Sequence, residues 1–211
     1  MKEVILAPDL VERMRRIYEA MEQEYDQVAG LLNFSCDGCP DNCCDSWFQH
    51  HTFVEWSYLW LGFCQLPESR RAEVLHRSRS YVTASEQALA RNERPQEMCP
   101  LNENGRCILY AHRLMVCRTH GVPATMLRPD GKRLDFPGCF RCQELVGKTL
   151  TNASPAPEVP QVERTLLLRQ LAQLENELMG GKRHLYPRLK LTIAQMLIAG
   201  PPKIATPYCE R

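Results

Sequence analysis

The sequence has almost no net charge and no long apolar run. Its 26 Lys and Arg against 25 Asp and Glu leave +1, so no global electrostatic pull toward nucleic acid or an anionic membrane is implied. No stretch approaches the roughly 18 apolar residues that a spanning helix needs. The opening MKEVILAPDLVERMRR has too short an apolar segment, with acidic residues close by, for a secretory leader. The chain is therefore expected to stay in the cytosol, away from membranes and nucleic acid. Also missing are an internal repeat and a Gly-rich strand-turn-helix fingerprint for a nucleotide. The Cys-x-x-x-Cys-x-x-Cys order of radical enzymes is absent too, because the order here is Cys36-x-x-Cys39-x-x-x-Cys43.

Cysteine, by contrast, is abundant. Eleven of 211 residues are Cys, and a chain that stays in a reducing compartment does not use them as a disulfide framework. The number is odd, so complete intrachain pairing would leave one over. Metal binding is the leading explanation. The hydrophobic fraction of 44% is enough for a folded core around it.

Periodicity predicts a mainly α protein. From Pro8, the residues Leu10, Met14, Ile17, Tyr18, Met21, Tyr25, Val28 and Leu32 recur at three- and four-residue steps, one face of a long helix ending near Gly30. HTFVEWSYLWLGFCQLP reads as a buried helix with a stripe of Phe53, Trp56, Trp60, Leu61 and Cys64, stopped by Pro67. Residues 68 to 91 read as a more polar helix with Val74, Tyr81 and Leu89 on one side. A turn at NENG and the short run CILY mark an irregular loop region, with CILY either a strand or the entrance to a helix. The turn PDG, between short extended pieces, predicts a small β-hairpin. TNASPAPEVPQ reads as a linker, followed by two helices, one closed by Gly180-Gly181 and one over PRLKLTIAQMLIAG closed by Gly200. The expected organisation is an N-terminal helix over 1–32, a cysteine-cluster metal-binding domain over 33–150 and a linker over 151–161. A helical hairpin over 162–211 would then pack on the body or on a protein partner. The fold class is thus mainly α with an irregular, metal-organised cysteine-rich core.

Nine cysteines fall into groups: Cys36, Cys39, Cys43 and Cys44; Cys99 and Cys107; Cys117; and Cys139 with Cys142. Two thiolates separated by two residues curl onto one ion through a tight turn, and distant pairs complete the shell. The neighbours Gly38, Pro40, Asn42, Pro100, Gly105, Pro137 and Gly138 are turn formers that let backbone wrap such a site. A tetrahedral zinc or a cubane iron-sulfur cluster takes four thiolates, so one ordinary site cannot use all nine. Adjacent Cys43 and Cys44 diverge in any regular backbone, which makes one a bystander or assigns them to two sites or to two metals of a cluster. A zinc tetrathiolate carries surplus negative charge, and His112, Arg113, Arg118 and His120 around Cys117 are candidate cations to offset it or ordinary surface groups.

The doublet-ended cluster followed by CPLNENGRCILYAHRLMVCRTHG resembles the YkgJ-like cysteine-cluster family, described as zinc- or iron-chelating. The resemblance rests on Cys99-Pro100-Leu101, Cys107-Ile108-Leu109-Tyr110 and Arg113-Leu114-Met115-Val116-Cys117-Arg118, over about residues 36 to 142. Leu114 stands where the family has Pro after the Arg, and Leu109 separates Ile108 from Tyr110; neither removes a thiol. The resemblance implies a zinc or iron-sulfur site. Some relatives look like the cysteine-rich part of flagellin lysine methylases, a loose link to S-adenosylmethionine chemistry.

Other residues have blander readings. Cys64 reads as a small core hydrophobe, Cys209 as a free tail thiol, and His50-His51 as a surface or capping pair rather than imidazole ligands. His76 and His184 read as solvated. Cys117 beside Arg118 and His120 is also a candidate nucleophile, with ligation the stronger reading. Trp56 and Trp60 fit core packing better than base stacking. The function expected is a metal-binding protein with thiolate-only sites of structural or redox role. The alternatives are a metalloenzyme, oxidoreductase or protein-modifying, with an open metal position, and a zinc-ribbon-like interaction module.

Overall fold

The computed structural model describes residues 2–37, 39, 43–152 and 158–204. Within them the chain is mainly helical, with short strands at intervals. In order these are β1 (Lys2–Glu3), α1 (Pro8–Leu31), α2 (Phe53–Cys64), α3 (Glu68–Ala90), β2 (Asn102–Glu103), β3 (Arg106–Cys107) and α4 (Met115–Thr119). They are followed by β4 (Ala124–Leu127), β5 (Arg133–Phe136), α5 (Phe140–Asn152), β6 (Val162–Glu163), α6 (Thr165–Leu178), α7 (Ile193–Ala199) and β7 (Lys203–Ile204). No helix among the described residues is long and apolar enough to cross a membrane.

Two compact units form, and neither is a continuous stretch of chain. The first takes Met1–Glu12, Asn42–Leu114 and Gln173–Arg211, and the second takes Arg13–Asp41 and Met115–Ala172. This division does not follow the segments read from the sequence: residues 33–150 supply both units. Of the expected linker over 151–161, Thr151 and Asn152 close α5, and residues 153–157 lie outside the described residues. Gly38, Pro40, Asn42 and Cys209 lie outside them as well.

The first unit is built on α2. Its apolar residues Phe53, Trp56, Leu59 and Phe63 pack with Val74 of α3, Leu101, Leu109, Leu114 and the distant Met179, Met196 and Leu197. Thr52 caps the helix, accepting from Glu55 N at 3.3 Å while its hydroxyl donates to Glu55 Oε2 at 2.8 Å. The first two amides of α2, Phe53 N and Val54 N, donate to the buried Glu175 carboxylate at 3.1 and 2.8 Å. Arg183 pairs with the same carboxylate at 2.9 Å, so the helix start and the C-terminal segment are tied through one side chain. Trp56 is buried and Trp60 packs partly buried beside it, as the apolar stripe implied. On α3 the buried positions are Val74, Ser78, Tyr81, Ser85 and Ala88. Leu89, expected on that face, is exposed because this three-and-four spacing passes through Ala88 instead.

The NENG turn joins β2 to β3, with Asn104 at φ 50° and Gly105 at φ 82°. These left-handed values suit a two-residue hairpin loop, and Asn and Gly reach them at the least cost. CILY is neither strand nor helix entrance alone: its Cys107 closes β3, and its Tyr110 opens a single 3-10 turn ending at His112. α7 is much shorter than PRLKLTIAQMLIAG suggested. Thr192 starts it with a complete capping box to Gln195, while Leu191 just before is held extended in a bridge to His50.

The second unit carries a three-stranded sheet in the order β5-β4-β6. β4 and β5 are the hairpin expected around PDG, pairing Ala124 with Phe136 through Leu127 with Arg133. β6 adds to β4 in parallel, Ala124 opposite Val162. Its core joins Val28 and Ala29 of α1 to Val122, Ala124 and Val162. α1 ends past the expected Gly30, where Asn33 at φ 50° lets Phe34 N reach Ala29 O at 2.8 Å.

Candidate metal centre

The nine candidate thiols sort by unit. Cys43, Cys44, Cys99 and Cys107 belong to the first, and Cys36, Cys39, Cys117, Cys139 and Cys142 to the second. The opening cluster is therefore divided between its second and third cysteines.

In the first unit, Cys43 and Cys44 lie on one 3-10 turn, Cys43–Asp45. They do not diverge as a regular backbone would require: the Cys43 side chain hydrogen-bonds the Cys44 sulfur. Cys99 N donates to Cys44 O at 2.9 Å, which fastens the doublet to the chain entering the β2–β3 hairpin. Cys107 stands opposite Asn102 across that hairpin. One backbone bond and one two-residue turn thus join the segments that bear these thiols, Cys44 to Cys99 and on to Cys107. Burial, followed by charge on Cys99, pushes the Tyr81 hydroxyl up to about 12, which sets the Cys99 sulfur beside α3. The hairpin is clamped to the same helix because Glu103 accepts from Arg77 at 2.7 Å and from Arg70.

Hydrogen bonding by Cys43, by the Asn102 side chain and the charge of Arg113 hold the Cys44 thiol down at about 6, against burial and Asp45. Its thiolate, the form that nucleophiles and metal ligands need, is therefore populated at neutral pH. Arg113 is kept near by its own loop. Its guanidinium lies 3.5 Å over the Tyr110 ring, and its Nε donates to Tyr110 O at 3.2 Å. Asn102 accepts from Gly105 N at 3.2 Å through Oδ1. Its Nδ2 is buried, with the Cys44 sulfur the group that it faces. A neutral thiol is a weak acceptor for a buried amide N–H, and a thiolate at Cys44 would satisfy it better.

In the second unit, Gln143 N donates to Cys139 O at 3.0 Å, making Cys139 the residue that opens α5, with Cys142 in its first turn. Gly138 holds φ 83°, and a Cβ there would stand 2.6 Å from Gly121 O. Only glycine lets the chain pass this closely while Cys139 N donates to that same oxygen at 3.0 Å. Cys142 is fully buried. Burial first, then charge on Cys139 and Cys36, pushes its thiol up to about 11. Without a metal it keeps its proton at neutral pH, so binding would release one. Cys36 is exposed, with its sulfur 3.7 Å from the Tyr25 hydroxyl. Arg141, between the two cysteines of the pair, hydrogen-bonds the Cys39 sulfur, with charge on Cys39, Cys139 and Cys36 adding to it. Its Nη1 is buried without an acceptor. Cys117 sits on α4, partly buried.

Each set thus combines sulfur donors with one buried N–H that lacks a conventional acceptor, a donor chemistry that suits a soft thiolate-bound metal. Among the described residues, however, no group of three or more Cys, His, Asp or Glu side chains is placed to hold a metal ion. Coordination would require the loops to draw in around the ion.

Other sequence expectations resolve differently. Arg118 is engaged by Glu22 and lies 4.2 Å over the Tyr18 ring. His112 is buried against Tyr58, ring centroids 4.8 Å apart. Cys64, expected in the core, is exposed because it is the last residue of α2 and lies past the buried stretch ending at Phe63. His50, expected at the surface, is buried, while His51 is exposed with its Nδ1 2.9 Å from Leu189 O. His76 and His184 are exposed as expected. Asn102 and Arg141 were not singled out from the sequence, and Tyr25 was read only as part of the apolar face of α1. The one signal within reach was Arg141's place inside the Cys139-x-x-Cys142 pair.

A shallow depression of about 360 Å³ between Leu31, Thr125, Arg133 and residues 158–161 is lined by no cysteine. The chain matches no family model, no curated protein and no solved structure.

Proposed function

We propose that the protein is a metal-binding cysteine-cluster protein with two thiolate centres, one in each unit, that hold zinc or iron-sulfur. Cys43, Cys44, Cys99 and Cys107 would hold the first. Cys36, Cys39, Cys139 and Cys142 would hold the second, with Cys117 the ninth candidate. The observation that carries the reading is the sorting of the nine scattered thiols into four in the first unit and five in the second, each set with a buried N–H donor that a thiolate would satisfy. The resemblance of Cys99–Arg118 to the YkgJ-like family points the same way. The role is structural first: the segments that bear these thiols are short turns and two-residue strands, and binding energy would fix their shape. A bound metal would also supply either a rigid cross-link or, as a cluster, an electron-transfer centre. This reading goes with a reducing compartment such as the cytosol, where thiols stay reduced.

Anaerobic purification with elemental analysis and a visible spectrum tests this. Two equivalents of zinc in a colourless protein, or iron and sulfide in a brown one, are expected. Metal content should fall by half in Cys99→Ser and, separately, in Cys139→Ser. A wild-type protein that binds neither zinc nor iron under reducing conditions would refute the proposal.

A further inference from the structure

The second thiol set contains a feature that ligand counting does not explain. Arg141 forms no ion pair with a carboxylate among the described residues. An arginine with a buried nitrogen normally finds an anion, because its fork of N–H donors is expensive to leave unmatched. Here the guanidinium hydrogen-bonds the Cys39 sulfur, with charge on Cys139 and Cys36 adding to the pull, while its buried Nη1 meets no acceptor of its own. Neutral thiols are poor acceptors. Thiolates are good ones, and four of them on a divalent ion leave the centre with surplus negative charge. Arg141 is also on the first turn of α5, a helix of 13 residues whose N-terminal amides open beside Cys139 and Cys142. The helix end adds partial positive charge toward the same sulfurs.

We infer that Arg141 is a positioning residue of the second metal centre: its guanidinium donates N–H bonds to the metal-bound sulfurs and offsets their charge, so that it sets how tightly the metal is held. The inference rests on the metal-binding reading of Cys36, Cys39, Cys139 and Cys142. Arg141 is not a ligand, and its loss leaves the four sulfurs in place. Outer partners of this kind change metal affinity by about 10- to 100-fold.

The test uses the full chain, reduced, made metal-free and reloaded anaerobically with zinc as the probe metal, and follows transfer of zinc to a chromophoric chelator at fixed pH. Wild-type protein should release zinc in two phases, and Cys139→Ser identifies the second set by the phase it abolishes. In Arg141→Gln that phase should accelerate about tenfold while the other phase keeps its rate. Arg141→Lys, which restores charge without the planar fork, should fall between the two. Thermal unfolding of the metal-free chain should be unchanged in both variants, which a merely structural arginine would not allow. If the phase assigned by Cys139→Ser runs at wild-type rate in Arg141→Gln, the role of Arg141 is overturned and the metal site stands. If Cys139→Ser retains both phases, the second site itself is overturned. Equal loss of metal-free stability and of zinc retention would also overturn the proposal, by making Arg141 a packing residue.

Discussion

Acid should destabilise the first unit through His50. The ring is buried, and burial, followed by the neighbouring charge of His51, pulls it down from 6.5 to about 3. The sign follows from proton counting. In the unfolded chain His50 takes up a proton near pH 6.5, whereas in the folded unit it stays neutral to about pH 3. Below pH 6.5 the unfolded state therefore binds more protons, and stability falls as pH falls, until the folded ring titrates. The slope is about 1.4 kcal/mol per pH unit once the unfolded ring is charged. From neutral pH to pH 5 the loss is about 2 kcal/mol, and this part of the window needs only that the folded value lie well below 5. With a urea slope of roughly 2 kcal/mol per molar, the midpoint should drop by about 1 M. Trp47, Trp56 and Trp60 all fall in this unit's segments, so tryptophan fluorescence reports its unfolding. Thiolates such as Cys44 also lose stability as pH falls, between 9.0 and about 6, so the informative quantity is the difference from His50→Gln. That variant should lack the extra loss between pH 6.5 and 5. Parallel losses in wild type and variant would refute the reasoning.

Two further stability changes should follow from the packing of the first unit. Glu175→Ala leaves the Phe53 and Val54 amides without their acceptor and Arg183 without the carboxylate that it pairs with. A loss of about 3 kcal/mol is expected by urea denaturation, with Glu175→Gln losing less because one acceptor oxygen remains; equal stability of the alanine variant would remove Glu175 as the tie. Gly62→Ala would bring a Cβ to 2.3 Å from His112 Cγ, a ring already held against Tyr58. Overpacking of this kind costs about 1–3 kcal/mol, read as a fall of several degrees in melting temperature, and an unchanged melting temperature would show that His112 can move aside.

Helices were legible in the sequence where the signal is local. The starts of α1, α2 and α3 lie at Pro8, just after Thr52 and just after Pro67, because caps, prolines and the 3.6-residue period act within a few positions. The β4–β5 hairpin was announced by Asp130-Gly131, whereas Asn104-Gly105 marked only a turn in an irregular loop; both glycines take positive φ. Pairings between distant short strands left no trace: β1 with β7, and the parallel addition of β6 to β4, involve two residues a side, too few for an alternation pattern. Burial of His50 was hidden for the same reason, since its partner Leu191 is far along the chain. Grouping of the cysteines was visible, but not their division into sets. That division depends on which loop Cys99 N bonds to and on where α5 begins, both of which are tertiary facts. The buried amides of Asn102 and guanidinium of Arg141 belong to the same class, because nothing in a residue type says which way its unused donor faces.

The interleaving of the units has a consequence during synthesis. A ribosome delivers residues in order, and the second unit has all of its segments once Ala172 has emerged. The first unit still lacks Gln173–Arg211, and with it Glu175, Met196 and Leu197. The unit whose chain begins first is therefore the last to close. Between those moments Cys43, Cys44, Cys99 and Cys107 are outside the ribosome before the segment that completes their unit, and they pass through a period as free thiols on an open chain.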